Sequence, residues 1–101
     1  MQAFGFKKFG DPNVFEELTI AKPALKKGRV LVQTSAFGIN AFDSKLRQGV
    51  VSFKKPTEFP LIPGNDVAGT IIDLAPDVTE FQIGDSVIGR TVNGAYAEIV
   101  S

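Results

Sequence analysis

The stretch Pro60-Leu-Ile-Pro-Gly-Asn-Asp-Val-Ala-Gly69 combines a backbone bend with an apolar run, and it sets two polar side chains next to each other. Pro63 fixes its own φ and favours extended backbone before it, while Gly64 permits a turn that other residues resist. Asn65 and Asp66 then stand at the start of the apolar run. Such a pair, taken alone, is typical of a turn whose polar groups satisfy its own backbone. A second polar segment upstream makes it a candidate site.

That second segment is Gly38-Ile-Asn-Ala-Phe-Asp43, which follows the strongest strand pattern of the chain at 29–37. The strand pattern is rich in β-branched residues, which favour extended backbone. Asn40 lies between this strand and a short helical pattern at 42–48, where asparagine commonly caps or turns. Asp43 suits the N-terminus of that helix through the helix dipole. Each of the two segments therefore presents an amide and a carboxylate beside a predicted strand.

Most of the remaining chain shows strand patterns separated by glycine and proline. In the first pattern, Ala3 and Gly5 share one face, and Phe4 and Phe6 share the other. Asn93-Gly94 is a hairpin signal between the last two strands. The predicted strands cover 2–7, 14–20, 29–37, 67–75, 86–90 and 95–100, with a helix at 42–48 stopped by Gly49 and a loop over the site at 50–59.

This order of elements predicts a mainly β fold, a small and partly open barrel of largely antiparallel strands with one or two short helices. Most phenylalanines are expected in the core, although Phe42, Phe53 and Phe59 are candidates to line an apolar cleft for a flat ring. The aliphatic core is predicted to contain Val30, Val32, Ile39, Val67, Ile71, Leu74, Val87 and Ile99.

Composition indicates one folded domain over residues 1–101. The chain has 44% hydrophobic residues and equal numbers of basic and acidic side chains, 11 of each. A net charge of zero argues against nucleic-acid binding, which needs a clustered basic surface. No apolar run reaches the length of a membrane span, and no signal-peptide pattern opens the chain. We therefore expect no nucleic-acid or membrane partner, and a cytoplasmic location.

The chain contains no cysteine and no histidine. Because zinc sites nearly always use thiolate or imidazole ligands, the usual zinc ligand sets cannot be assembled from it. Nucleophile pairs that depend on histidine are excluded for the same reason. The aspartates also lack the spacing of an EF-hand. We expect no metal site.

The two polar segments and three further motifs together resemble the N-terminal, GroES-like domain of the medium-chain dehydrogenase/reductase superfamily. The likeness is strongest to its zinc-free quinone oxidoreductase branch, and it implies a GroES-like, partly open β-barrel. The motifs that carry it, in the family's order, are Gly38–Gly49, Pro63-Gly64, Asp66–Gly69, Phe81–Ile88 and Gly94–Glu98.

The resemblance bears directly on metal binding. In zinc-dependent relatives, the first cysteine ligand of the catalytic zinc falls where Asn40 stands, and a histidine ligand falls at Asn65. Amides are poor zinc ligands, so the resemblance implies the metal-free branch.

The resemblance also implies roles for six side chains. Asn40, Asp43 and Asp66 would be catalytic, Asn40 and Asp66 would also contact the cofactor, and Asn65, Lys45 and Arg47 would bind substrate. Asn40 would donate from its amide to the acceptor carbonyl. Lys45 stands where many quinone reductases carry a tyrosine. A lysine has no aromatic ring, so it does not provide the stacking contact to the quinone that a tyrosine would.

Structural alternatives stay open for these residues. Asn40 could instead cap the helix, and Asp43 could instead interact favourably with the helix dipole. Asn65 could instead only satisfy the hydrogen bonds of its turn. Asp66 has the alternative of an ion pair with Arg47, since a buried carboxylate needs a partner. For Tyr96 and Glu98, in the strand pattern at 95–100, packing is the favoured role.

The resemblance implies an NADPH-dependent enzyme that passes hydride to a small-molecule quinone or enone, acting in full length as a homodimer. No Gly-x-Gly-x-x-Gly motif opens a helix in this chain, so we expect the nucleotide-binding domain to follow Ser101 and this chain alone to be inactive. Two alternatives are an enoyl-thioester reductase of the same superfamily and a non-catalytic GroES-like module used for assembly or membrane-trafficking contacts.

Overall fold

A computed structural model describes residues 1–51, 58–91 and 93–101. Within these ranges the chain forms six strands, one α-helix and one 3₁₀ turn. The predicted loop at 50–59 falls largely on 52–57, and those positions, with Phe53, lie outside the described residues. The elements in chain order are β1 (Gln2–Gly5), the 3₁₀ turn (Pro12–Val14), β2 (Glu16–Thr19), β3 (Val30–Phe37), α1 (Ala41–Gln48), β4 (Asp66–Leu74), β5 (Ser86–Arg90) and β6 (Ile99–Val100).

The strands form two antiparallel sheets. The larger sheet has four strands in the order β5-β4-β3-β6, and β1 pairs with β2 in a sheet of two strands. A bridge between Ala3 and Ala97 joins the small sheet to the C-terminal segment. The prediction of a mainly β, GroES-like fold with one or two short helices is confirmed, and the two sheets stop short of a closed barrel.

The core lies against one face of the four-stranded sheet. Along β4 burial alternates, so that Val67, Gly69 and Ile71 face inward. Val32 and Val100 pack with them, together with three buried alanines, Ala3, Ala95 and Ala97. Each large aliphatic side chain buried there contributes about 1.5–3 kcal/mol relative to exposure.

The predicted core is partly right. Val32, Val67 and Ile71 are buried, whereas Val30, Leu74 and Val87 pack against the core from its edge. Ile39 is 79% exposed, so its prediction was wrong. It lies in the connection between β3 and α1, outside the alternation of either element.

The expectation that most phenylalanines are core residues was also wrong. Phe6 is completely buried, and its ring packs edge-on against Phe15 at a centroid distance of 5.6 Å. It does not share the face of exposed Phe4, because β1 ends at Gly5 and Phe6 instead forms a bridge with Leu61. The exposed phenylalanines are Phe4, Phe9, Phe37, Phe42, Phe59 and Phe81.

The hairpin predicted at Asn93-Gly94 does not form. β5 and β6 lie at opposite edges of the four-stranded sheet, since β5 pairs with β4 and β6 pairs with β3. Gly94 has φ +90° and lies directly against the backbone of Ile62. The amide of Ala95 donates to the carbonyl of Pro63 at 2.8 Å. The turn therefore packs on the Pro63 segment, and the strand predicted at 95–100 is reduced to its last two residues.

The helix follows the sequence prediction closely. α1 begins after Asn40, whose backbone is extended, and ends at Gly49, which has φ +79°. The Gly49 amide donates to the carbonyl of Leu46 at 3.2 Å, as expected for a left-handed C-cap. No helix among the described residues is long and apolar enough to span a membrane.

Candidate functional site

The two polar segments meet where β3 ends and β4 begins. The Gly38 amide donates to the backbone carbonyl of Asp66 at 3.1 Å, which brings the segment after β3 beside the first residue of β4. The side-chain Nδ2 of Asn40 donates to Oδ2 of Asp66 at 3.2 Å. Both side chains are exposed, so a molecule in solution can reach this amide–carboxylate pair.

Asp43, in the first turn of α1, is almost completely buried, with 3% of its surface exposed. Its Oδ2 accepts the backbone N–H of Asn40 at 2.9 Å and the hydroxyl of Tyr96 at 2.8 Å. Its Oδ1 accepts the backbone N–H of Gly64 at 3.2 Å. One buried carboxylate thus joins the start of α1, the turn before Asn65 and the C-terminal segment.

Tyr96 is the residue whose role the sequence interpretation underestimated. Its ring stacks on Phe37 at a centroid distance of 4.4 Å, as the packing prediction requires, but its hydroxyl also donates to Asp43. Burial, followed by this hydrogen bond and the negative charge of Asp43, raises the pKa of Tyr96 to about 12. The identity of the residue was the one sequence signal for this bond, because the hydroxyl of a half-buried tyrosine usually needs a hydrogen-bond partner.

Asp66 and its chain neighbour Asn65 line two different clefts. The first, of about 570 Å³, is called the Asp66 cleft, and the second, of about 540 Å³, is called the Asn65 cleft. Arg90 lines both. The Asp66 cleft is also lined by Ala36, Phe37, Gly38, Asp66, Val67, Ala68, Ile88 and Gly89, and the Asn65 cleft by Phe42, Leu46, Leu61, Ile62, Pro63, Gly64, Asn65, Thr91 and Gly94.

By sequence alone, Arg90 is only the last residue of a predicted strand. It is the cross-strand neighbour of Asp66 in the β4–β5 pairing. No ion pair joins the two side chains in the structure as described. Arg90 therefore brings a positive charge to the clefts without neutralising Asp66, and only the strand register could have revealed this.

The other predicted site residues are more scattered. Arg47 is 7% exposed and donates to the carbonyl of Gly10 at 3.0 Å, so it anchors α1 to the loop after β1. The alternative of an Arg47–Asp66 ion pair is not found between these two described side chains. Lys45 is exposed on α1 and lines neither cleft.

Asn65 and Phe42 both line the Asn65 cleft. The backbone carbonyl of Asn65 accepts the Thr91 amide at 2.8 Å, which holds the turn, while the residue lines the Asn65 cleft. Phe59 lines neither cleft, since its ring packs against Phe9 at 5.2 Å. A cleft role for Phe53 concerns a position outside the described residues.

Chemically, the exposed pair offers a hydrogen-bond donor and an acceptor at the edge of apolar walls. An amide Nδ2 carries two N–H groups, and Asp66 takes one of them. The buried acid near the start of α1 opposes the binding of a phosphate at that helix end. The site therefore suits the polar edge of an uncharged ring or carbonyl compound better than a pyrophosphate.

Comparisons with known proteins bear on the fold and family of the chain. A profile of the alcohol dehydrogenase GroES-like domain matches residues 26–100. A quinone oxidoreductase from Lama guanicoe is 38% identical over 100 residues, which make up 97% of this chain and 30% of that protein.

Two solved structures share the fold over nearly all of the chain. The human synaptic vesicle membrane protein VAT-1 homolog-like protein matches with a TM-score of 0.92 and 31% identity, over 99% of this chain and 32% of its own. Quinone oxidoreductase from Escherichia coli, complexed with NADPH, matches with a TM-score of 0.86 and 25% identity, over 98% of this chain and 30% of its own. The chain spans about a third of the length of these proteins.

Proposed function

This chain belongs to the alcohol dehydrogenase GroES-like domain family, and we propose that it forms the acceptor-binding wall of a quinone or enone oxidoreductase that uses NADPH and no zinc. The matches to the GroES-like domain and to quinone oxidoreductases confirm the predicted resemblance to the medium-chain dehydrogenase/reductase superfamily. One observation carries the proposal. The exposed Asn40–Asp66 hydrogen bond lies beside the largely apolar Asp66 cleft, which Asp66 itself lines, and Arg90 lines both this cleft and the Asn65 cleft.

The Asp66 cleft suits a flat acceptor ring. Its volume of about 570 Å³ falls in the range of small-molecule pockets, roughly 300–1,000 Å³. Phe37, Val67 and Ile88 provide apolar walls, and Asp66 and Arg90 provide the polar contacts. Such a cleft, with few polar groups, orients a ring that carries one or two carbonyl oxygens.

The residues present fit a nicotinamide edge more readily than a whole dinucleotide. NADPH, when bound, supplies the hydride, and we assign its phosphates to a further domain of the longer protein. Asn40 and Asp66 would contact the cofactor and the acceptor, because they provide a donor and an acceptor that solvent can reach. The second N–H of Asn40 would stabilise negative charge on the acceptor carbonyl oxygen, an effect worth roughly 10²–10³ in kcat.

None of the described site residues is assigned as the proton donor. The pKa of Tyr96, raised to about 12, makes its hydroxyl a poorer acid than a free phenol. We therefore assign the proton to water or to a cofactor hydroxyl.

The zinc-independent assignment rests on donor chemistry. By the resemblance, Asn40 and Asn65 would occupy positions where zinc-dependent relatives have ligands, and the chain contains no cysteine or histidine to replace them. Metal analysis of the full-length protein, purified without a histidine tag, tests this assignment. We expect activity to survive dialysis against chelator, and stoichiometric zinc that resists dialysis would contradict it.

Two assays of the full-length protein test the reaction. We expect it to oxidise NADPH in the presence of 1,4-naphthoquinone or a conjugated enone. Oxidation of NADPH only with crotonyl-CoA would instead identify an enoyl-thioester reductase. Turnover with none of these acceptors would favour a non-catalytic GroES-like module. For the enzyme we propose a cytoplasmic location and a homodimer.

A further inference from the structure

Three segments that are distant in sequence converge on the carboxylate of Asp43. The segments are the start of α1, the Pro63-Gly64 turn and the C-terminal stretch around Tyr96, and each donates one hydrogen bond. Asp43 is 3% exposed and lines neither cleft. Its position is thus unsuited to touching substrate, although the resemblance implied a catalytic role.

We propose that Asp43 and Tyr96 act as a buried bracket that positions the Asn40 amide and the Asn65–Asp66 turn. This inference rests on the proposed function for its catalytic consequence. Asp43 holds the backbone N–H of Asn40, whose side chain makes the exposed bond to Asp66. The same carboxylate holds the N–H of Gly64, which directly precedes Asn65. The two ends of the exposed pair are therefore fixed to one anchor.

Tyr96 holds the anchor in place. Its hydroxyl bonds the same oxygen of Asp43 that accepts the Asn40 N–H, and its ring is stacked on Phe37, which lines the Asp66 cleft. A side chain added at Gly64 would meet the Tyr96 ring at 2.8 Å, so the turn and the ring are in tight contact. The bracket is therefore packed as well as hydrogen-bonded.

A spectroscopic test is direct because Tyr96 is the single tyrosine and the chain has no tryptophan. Absorbance of the phenolate as a function of pH then reports Tyr96 alone. If the bracket exists, Asp43→Asn removes the negative charge beside Tyr96 and alters the hydrogen bond. The midpoint of the phenolate titration should then fall from about 12 towards 10.0. It should stop short of the lower value, because burial of the ring remains.

Nuclear magnetic resonance of the ¹⁵N-labelled chain tests the positioning itself. Tyr96→Phe keeps the stacked ring and removes only the hydroxyl. It should shift the side-chain amide signals of Asn40 and the backbone amide signal of Gly64. Thr34→Val is the matched control, because the Thr34 hydroxyl is buried and has no hydrogen-bond partner among the described residues. This control should leave both sets of signals in place.

The catalytic consequence is measured in the full-length enzyme. Tyr96→Phe should lower kcat by up to about 10²-fold, the scale for misplacing a reacting group by about 1 Å, with KM little changed. Unshifted signals in Tyr96→Phe, or shifted signals with a normal kcat, would overturn the proposal. If Asp43→Asn does not fold, Tyr96→Phe decides the question. A wild-type protein without reductase activity would refute the proposed function, and the spectra would then decide on the bracket by themselves.

Discussion

Replacing Gly94 by alanine should destabilise the domain far more than a turn glycine normally would. The backbone of Gly94 has φ +90°, a conformation that costs an alanine about 1–2 kcal/mol. An added Cβ would also lie 2.7 Å from the carbonyl carbon and 2.7 Å from the Cβ of Ile62. Relieving that overlap requires the turn and the Pro63 segment to separate, at a further cost of about 1–3 kcal/mol. The expected total is about 2–5 kcal/mol.

Two other glycines separate the two contributions. Gly84 has φ +96° but no atom within 4 Å of an added Cβ, so Gly84→Ala carries the backbone strain alone. Gly89 has neither a positive φ nor a close neighbour, so Gly89→Ala should stay within about 0.5 kcal/mol of the wild type. The difference between the Gly94 and Gly84 variants isolates the contact with Ile62.

Urea denaturation and thermal melting of the three variants measure these terms. A difference of about 2 kcal/mol between Gly94→Ala and Gly84→Ala corresponds to roughly 8–16 °C in Tm for a domain of this size. Equal losses in the two variants would show that Gly94 serves only the local turn. The account of the 93–96 segment as packed on Pro63, in place of a hairpin, would then be wrong.

Three further outcomes are expected. The pKa of Tyr96 is about 12 in the folded chain against an ordinary 10.0, so the folded state holds the phenol proton more tightly than the unfolded state does. The stability that this difference contributes to folding is complete below pH 10 and is lost as the pH rises to about 12. Urea melts should therefore show a steeper alkaline loss of stability for wild type than for Tyr96→Phe, and equal slopes would contradict the raised pKa of Tyr96. Arg47→Met should lower the free energy of unfolding by about 1.5–3 kcal/mol, because it removes the charged donor to Gly10; an altered KM in the full-length enzyme with an unchanged Tm would point to substrate contact instead. Calorimetric titration of the 101-residue chain with NADPH should show no saturable binding, since the chain has no glycine-rich phosphate loop before a helix, and micromolar saturation would show that the cofactor site is misplaced.

Local features of the fold were predictable because their causes are local. Gly49 ends α1 through its own positive φ, and Asn40 occupies the position before the helix. The alternation in β4 follows from residues that are adjacent in sequence. These elements therefore agree with their predictions to within a residue or two.

Features that depend on distant pairing were not predictable. Asn93-Gly94 has the sequence of a hairpin turn, but tertiary contacts with Ile62 and Pro63 compete successfully with local pairing. The burial of Phe6 depends on its bridge to Leu61, a residue far along the chain.

The candidate site divides in the same way. The meeting of Asn40 and Asp66 joins two segments that the sequence had already marked as polar. The hydrogen bond from Tyr96 to Asp43 joins residues 53 positions apart, and no local sequence pattern predicts it. The charge that Arg90 brings to the clefts depends on the β4–β5 register, which single-sequence patterns do not set.

The most direct measurement of the central claim is the kcat of the full-length Asn40→Ala enzyme with NADPH and 1,4-naphthoquinone. If the Asn40 amide stabilises the acceptor oxygen, kcat should fall by roughly 10²-fold, and the exposed control Asn13→Ala should match wild type. A melt of the same proteins measures the alternative, in which Asn40 only caps α1 and its loss costs about 1 kcal/mol of stability. A normal kcat together with a lowered Tm would contradict the account.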